Sequence, residues 1–170
     1  MTKDDDAGLE RITELWSTRS KGLIVEMDLR VEKATRGGVT IRMPFNRHFC
    51  VDEEATLLHG GVLTALLDSA FGLANFLAID DVQTMATLDL RVEYLRPAQS
   101  RADVLVFAEC YRETRHIAFS SGRVWFDGAS TDEVARGSAT FALTRGKGNI
   151  LEMLDAKGLG NEQERASGAA

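Results

Sequence analysis

The stretch HGGVLTALLDSAFG, residues 59–72, is apolar at nearly every position, contains no proline and carries one carboxylate, Asp68. With its flanks the pattern runs from about Leu58 to Leu77 and includes Val62, Leu63, Leu66, Leu67, Phe71, Leu73 and Phe76. Such a segment reads as a helix that is apolar on most sides, and therefore buried on most sides. The rest of the chain has to wrap it.

Downstream, strand patterns fall at about 84–95, 102–112, 116–127 and 134–144, separated by Pro97 and by turns at Glu113-Thr114 and Asp127-Gly128. In chain order these form an antiparallel meander. Upstream, Val25, Met27, Leu29 and Val31 alternate with Glu26, Asp28, Arg30 and Glu32, which predicts a half-buried strand. A Gly37-Gly38 turn follows, and Val39, Ile41 and Met43 continue the alternation to Pro44, so the two strands read as a hairpin whose register could slip. Residues 45–57 read as a loop.

Outside this unit, Leu9, Ile12, Leu15 and Trp16 recur at helical spacing, with Asp6 as a cap and an end before Gly22. Ile150, Leu151, Met153 and Leu154 could add a helical turn or two before the polar tail NEQERASGAA. The expected class is α+β: an antiparallel sheet of five to six strands wrapped around one long central helix. Residues 1–21 form an acidic leader and helix, 22–146 the main domain, and 147–170 a short helix and tail.

A chain of 170 residues, 44% hydrophobic and 27% charged, suits one such domain. The net charge of −6 argues against a partner recognised by a broad positive field, nucleic acid or an anionic membrane. Cys50 and Cys110 form no CxxC pair and suit reduced core thiols rather than a disulfide framework. His48 and His116 lack metal-ligand spacing with them, so no metal is expected. The start MTKDDDAGLE is not a signal peptide, and no apolar stretch approaches the roughly 20 residues of a membrane span, so a cytoplasmic location is expected.

At about 100° per residue, Gly61, Thr64, Asp68, Gly72 and Asn75 fall within an arc of roughly 80° on the central helix. A polar and glycine stripe on a buried helix needs a reason, because an ionised carboxylate is costly to bury without partners. One reason is structural: Asp68 caps a loop or pairs with an arginine. The other is chemical. Gly60 and Gly61 stand where the helix begins, so their N–H groups lie at the positive end of the dipole with no side chain in the way, a prospective oxyanion site.

Gly61 and Asp68 are seven residues apart, about 10 Å along the axis. One chain cannot readily bring both to one carbonyl. Two helices running antiparallel across a two-fold axis would set Gly61 of one subunit beside Asp68 of the other, so an obligate homodimer is expected, with a homotetramer built as a dimer of dimers.

His59-Gly60-Gly61 followed by an acid nine positions after the histidine resembles the hotdog-fold acyl-CoA thioesterases of the phenylacetyl-CoA thioesterase-like branch. TLDLRVEYLRPA, from Thr87 to Ala98, and the segments RETRHIAF and GSATFAL look like the strands that follow the helix in that family. The resemblance covers roughly residues 20–145. It implies hydrolysis of an acyl-CoA thioester, with Asp68 as general base or nucleophile, the Gly61 N–H on the carbonyl, Thr87 assisting and His59 orienting the carbonyl. Gly60, Thr64, Gly72 and Asn75 would line the substrate. No cofactor is expected; coenzyme A, as part of the substrate, would lie along Tyr94 to Gln99 and the Arg112 to Ile117 hairpin, with Arg96, Arg112 and Arg115 near its phosphates and His116 among the substrate-binding residues.

Two positions depart from this pattern. Many relatives carry Asn or Gln six residues before the histidine, where this chain has Glu53, and simple alternation puts Thr87 on the polar face with Asp89 and Arg91 unless the strand bends there. Thr87 is otherwise an ordinary strand threonine. The rival functions are an acyl-thioester dehydratase or hydratase and a non-catalytic acyl-CoA-binding hotdog module.

Overall fold

The computed structural model describes residues 22–146 together with Glu10, Thr13, Glu14 and Trp16. In chain order there follow a one-turn helix α1 (Leu23–Glu26), strands β1 (Arg30–Thr35) and β2 (Gly38–Met43), a 3-10 turn at Arg47–Phe49, the long helix α2 (Gly60–Ala78), and strands β3 (Val82–Tyr94), β4 (Val104–Glu113), β5 (Ile117–Phe126) and β6 (Glu133–Arg145). All strand pairs are antiparallel. The six-stranded sheet has the order β1-β2-β4-β5-β6-β3 and curls around α2.

The α+β arrangement is the expected one, with three corrections. The strand expected from Val25 begins five residues later. Residues 23–26 instead make a helical turn that closes through Met27 N–H to Leu23 O and through Asp28 at φ 49°, a conformation that ends a helix. Met27 and Leu29 are still buried, so the turn mimics the inward half of an alternating strand.

The second correction concerns β3, which is not the first strand of a meander. The connection from 95 to 103 carries the chain away from it, so β4 pairs with β2 while β3 pairs with β6 and forms the far edge. Of the four strands after α2, only β4, β5 and β6 follow one another as neighbours. Thirdly, α2 is itself long and apolar enough to cross a bilayer by length and composition, although no stretch was expected to be, and here half of it is buried inside the domain.

The expected hairpin is present, with Thr35 opposite Gly38 and Arg36-Gly37 between them; Gly37 at φ 80° supplies the left-handed residue such a tight turn requires. Trp16 packs against the core; Leu9, Ile12, Leu15, their cap Asp6 and the C-terminal helical turn lie outside the described residues. Cys50 and Cys110 are free thiols, and burial pushes both above the ordinary value.

Packing centres on Phe71, which is fully buried. Gly122 of β5 and Gly137 of β6 are directly opposed in the sheet beneath it. A Cβ on Gly122 would come within 2.8 Å of Phe71 Cε1, and one on Gly137 within 3.2 Å of Phe71 Cζ. The two glycines therefore create the hollow into which the ring fits. Around it, Leu63, Leu66, Leu67, Ala70 and Leu77 pack in one core with Ile41, Met43, Val106, Val124 and Phe141.

On the sheet, Arg42 gathers three carboxylates: Asp103 at 2.9 Å, Asp127 at 2.8 Å, and Glu32 through its Nε. The Arg42 hydrogen bond holds the Asp127 carboxyl below its ordinary range, as Arg136 does for Glu133. A carboxyl with a lower pKa folded than unfolded stabilises the fold above its unfolded value, about 4, and loses that contribution as pH falls through the folded value. The urea midpoint should therefore be level from pH 7 to about 5 and decline below about 4. Arg42→Gln should be less stable at neutral pH with a shallower acid decline. Identical acid profiles for the two proteins would contradict this linkage.

Candidate active site

The site begins in the segment that delivers the chain to α2. Asp52 accepts from the N–H groups of Thr56 (2.9 Å) and Leu57 (2.6 Å) and from Thr56 Oγ1 (2.8 Å), and the Leu57 N–H in particular holds its carboxyl below the usual range. Leu58 N–H then bonds Ala98 O and His59 N–H bonds Phe49 O, both at 2.9 Å. The apolar pattern continues back through Leu58, but Leu57 and Leu58 are held in extended bridges to Gln99 and Cys50 and His59 is extended at ψ 129°, so α2 starts at Gly60.

His59 is the N-cap, and its Nδ1 accepts the Gly61 N–H at 2.9 Å. An imidazole nitrogen that accepts is unprotonated, so the ring proton of neutral His59 is assigned to Nε2. The donor expected to bind a carbonyl is thus occupied by the protein's own cap. Substrate would have to exchange its oxygen for this nitrogen, a swap of one acceptor for another. A Cβ on Gly61 would lie 3.0 Å from that Nδ1, and one on Gly60 would lie 3.2 Å from the Tyr94 ring. Each glycine is there because an aromatic ring approaches its backbone.

One turn further on, Thr64 Oγ1 lies 2.8 Å from Tyr94 Oη and 3.3 Å from Gly60 O, and Tyr94 Oη lies 3.1 Å from the same carbonyl. Thr64 and Tyr94, expected to line substrate, therefore meet each other and the first peptide of the helix. Nothing in the sequence pattern distinguishes that role for Tyr94 from its place in TLDLRVEYLRPA.

Asp68 is half-buried and accepts a hydrogen bond from Thr87 Oγ1 at 2.8 Å. Simple alternation had turned Thr87 away. The strand bends: Thr87 pairs with Phe141 and Asp89 with the next residue back, Thr140, so Leu88 is an inserted bulge residue, 60% exposed. Inward positions are Met85 and Thr87 before the bulge and Leu90, Val92 and Tyr94 after it. The bulge is what brings the threonine to the carboxylate.

The stripe on α2 divides. Gly61 is exposed, Thr64, Asp68 and Gly72 are intermediate, and a Cβ on Gly72 would meet nothing within 4 Å. Asn75, expected to touch substrate, is instead fully buried, with Oδ1 accepting from Ser120 Oγ at 2.7 Å and Nδ2 unpartnered. It lies on the same helical line, but β5 covers that end of the helix. Which neighbour covers a stripe is not written in its angles.

An open cleft of about 520 Å³ runs past the start of α2, with His59, Gly60, Leu63, Tyr94, Arg96 and Pro97 on its walls. Arg96 is engaged by Asp132, with Nε and Nη2 2.8 Å and 2.7 Å from its carboxylate. Arg112, Arg115 and His116 are exposed but lie elsewhere. Tyr94 pairs with Ala135 and Ile117 with Ala142, a separation along β6 of about 23 Å at 3.3 Å per residue. The two segments expected to hold one coenzyme A are therefore at opposite ends of the sheet within a chain. Glu53 is exposed. Among the described residues, no group of three or more His, Cys, Asp or Glu could hold a metal.

Comparison with known proteins fits this geometry. The family model described as the thioesterase superfamily matches residues 56–131. A Halobacterium salinarum protein, provisionally named an esterase, is 30% identical over 131 residues, covering 73% of this chain and 85% of that one. A crystal structure of a Pseudomonas aeruginosa protein is 32% identical with a TM-score of 0.65, covering 79% of this chain and 97% of that one. The fold alone is shared with a Haemophilus influenzae thioesterase at 20% identity, with a TM-score of 0.69 and coverage of 85% and 96%.

Proposed function

Because this chain belongs to the thioesterase superfamily, whose chemistry is hydrolysis of a thioester, we propose that its substrate is an acyl-CoA and that Asp68 is the group that drives the reaction. The observation that carries the proposal is the Asp68–Thr87 pair, a carboxylate on a half-buried apolar helix met by a strand hydroxyl through a dedicated bulge. The branch we favour, the phenylacetyl-CoA thioesterase-like enzymes, rests on the spacing of His59, Gly60, Gly61 and Asp68.

In the reaction, the thioester oxygen takes the Gly61 N–H from His59 Nδ1, and Asp68 either removes a proton from the attacking water or attacks the carbonyl itself. In the first case the tetrahedral oxyanion collapses with loss of the coenzyme A thiolate, which takes up the proton held by Asp68; in the second it collapses to an acyl–Asp68 anhydride and thiolate, and water then cleaves the anhydride, freeing the acid and Asp68 and supplying the thiolate's proton. One oxyanion donor of this kind is worth about 3 kcal/mol of barrier.

We further propose that the working unit is a homodimer. The edge strand β3 offers 13 residues of backbone with one side unpaired, an arrangement that invites a second strand. Antiparallel pairing of β3 with its copy would set the Tyr94 end of one strand beside the Val82 end of the other. It would thereby bring the Arg112 to Ile117 hairpin of the second copy towards Arg96, reuniting the two coenzyme A segments that one chain keeps apart. A dimer of dimers through the outer sheet face is the larger assembly we favour, because its hollow of about 420 Å³ is rimmed by both Arg91, Arg123, Arg136 and Glu93, Glu109, Glu133. A cytoplasmic site suits the two free thiols.

The test is thiol release from a panel of short, branched and aromatic acyl-CoA esters by the wild type and by Asp68→Asn. Release by the wild type and its loss in the variant supports the proposal. Binding without turnover by the wild type favours the non-catalytic module.

A further inference from the structure

The Gly60 carbonyl and the Gly61 N–H belong to one peptide group, and the carbonyl end of that group is held by two hydroxyls. Tyr94 Oη lies 3.1 Å and Thr64 Oγ1 3.3 Å from Gly60 O, and the hydroxyls are 2.8 Å from each other. Two hydroxyls carry two protons, so the three contacts cannot all be hydrogen bonds at once. Either Thr64 donates to Tyr94 and Tyr94 to Gly60 O, or Tyr94 donates to Thr64 and Thr64 to Gly60 O. In both arrangements the carbonyl receives the end of a two-hydroxyl chain.

Resting on the hydrolase reading above, we propose that Tyr94 and Thr64 are positioning residues for the oxyanion donor, acting through the Gly60 carbonyl. They fix the plane of the Gly60–Gly61 peptide, and by accepting the hydroxyl hydrogen bond at its oxygen that peptide presents a more positive N–H on its other side. The first N–H groups of a helix have no carbonyl partner within it, so the N–H side of this peptide depends on a side chain, while its carbonyl shares the helical bond from the Thr64 N–H with the hydroxyl chain. On one side is the His59 cap, which a substrate oxygen must displace. On the other is the Tyr94–Thr64 pair, which stays in place when the cap is exchanged.

The placement of Tyr94 also supports a role beyond packing. The residue stands at the end of the edge strand β3, and its hydroxyl reaches the first peptide of the helix. Its ring comes close enough to Gly60 that a Cβ there would lie 3.2 Å away. Thr64 alone could be the common bond from a helical threonine to the carbonyl one turn back. That habit does not account for a second hydroxyl delivered from a different element of the fold.

The experiment measures kcat and KM for thiol release, and the melting temperature, in Tyr94→Phe, Thr64→Val, the double variant, Thr64→Ser and Asp68→Asn. Tyr94→Phe keeps the ring and should lower kcat about tenfold, a partial loss of what a whole oxyanion donor provides, with KM and melting temperature little changed. Thr64→Val should act in the same direction, Thr64→Ser should recover what Thr64→Val loses, and the double variant should fall short of the product of the singles because either change breaks one chain. If Asp68→Asn is inactive while Tyr94→Phe turns over like the wild type, the positioning role is wrong and the hydrolase reading stands. A raised KM at unchanged kcat makes Tyr94 a substrate contact and overturns the proposal. Full turnover by Asp68→Asn removes the hydrolase reading, and this proposal with it.

Discussion

Asp68→Asn is expected to lower kcat for thiol release by roughly a thousandfold, within the range that a positioned proton acceptor contributes, while leaving the protein folded. Asparagine has the shape of aspartate and keeps an oxygen that can accept from Thr87 Oγ1, now 2.8 Å from Asp68 Oδ1. The half-buried environment is therefore preserved. What is lost is the charge, and with it the capacity to take a proton from water or to attack a carbonyl. Because the substitution spares the cleft beside His59 and Gly60, KM should change much less than kcat. A variant that releases thiol at the wild-type rate would remove Asp68 from the chemistry.

Phe71→Ala should be the most damaging single change to the fold itself, costing about 3–5 kcal/mol. Its ring fills the hollow left by Gly122 and Gly137, and neither glycine has a side chain that could move in to close the space. For a chain of this size the loss corresponds to a fall in melting temperature of roughly 10–15 °C. Gly122→Ala should not compensate, because the new methyl would also come within 2.6 Å of the Phe107 carbonyl oxygen. A melting temperature within about two degrees of the wild type would mean that the core relaxes around the gap.

These two residues differ in how far the sequence revealed them. Asp68 stood out because one carboxylate in a long apolar run contradicts its surroundings, and such contradictions are visible in a linear pattern. Phe71 was visible as core, but its glycine sockets were not, since a glycine inside a strand pattern looks like a weakness until the ring above it is seen. The helix was legible because no other segment is so long, so apolar and free of proline. The paired glycines mark its start at Gly60, although the apolar pattern continues back through Leu58.

Long-range arrangement was the least legible part. Strands adjacent in sequence usually pair, yet β3 departs to the far edge, and the only hint was a connection from 95 to 103 too long for a tight turn. The helical turn at 23–26 was hidden because Met27 and Leu29 are buried as they would be in a strand. Simple alternation put Thr87 on the polar face unless the strand bends there, and it does: a one-residue bulge reverses every later side chain, and the residue composing it, Leu88, carries no mark of the irregularity. Asn75 had the right angle on the helix, but β5 lies over it.

The catalytic site we propose is assembled from two chains, Asp68 from one and the Gly61 N–H from the other. Mixing two inactive variants tests this directly. Asp68→Asn lacks the proton acceptor, and Gly61→Val crowds the oxyanion position, where even a Cβ would lie 3.0 Å from His59 Nδ1. After equal amounts are unfolded and refolded together, half of the dimers should be mixed, and each mixed dimer should carry one site with both parts intact. Thiol release should then return to about a quarter of the wild-type rate, although either variant refolded alone is inactive. If the co-refolded mixture contains mixed dimers and remains inactive, the two groups serve one carbonyl within a single chain, and the shared site is wrong.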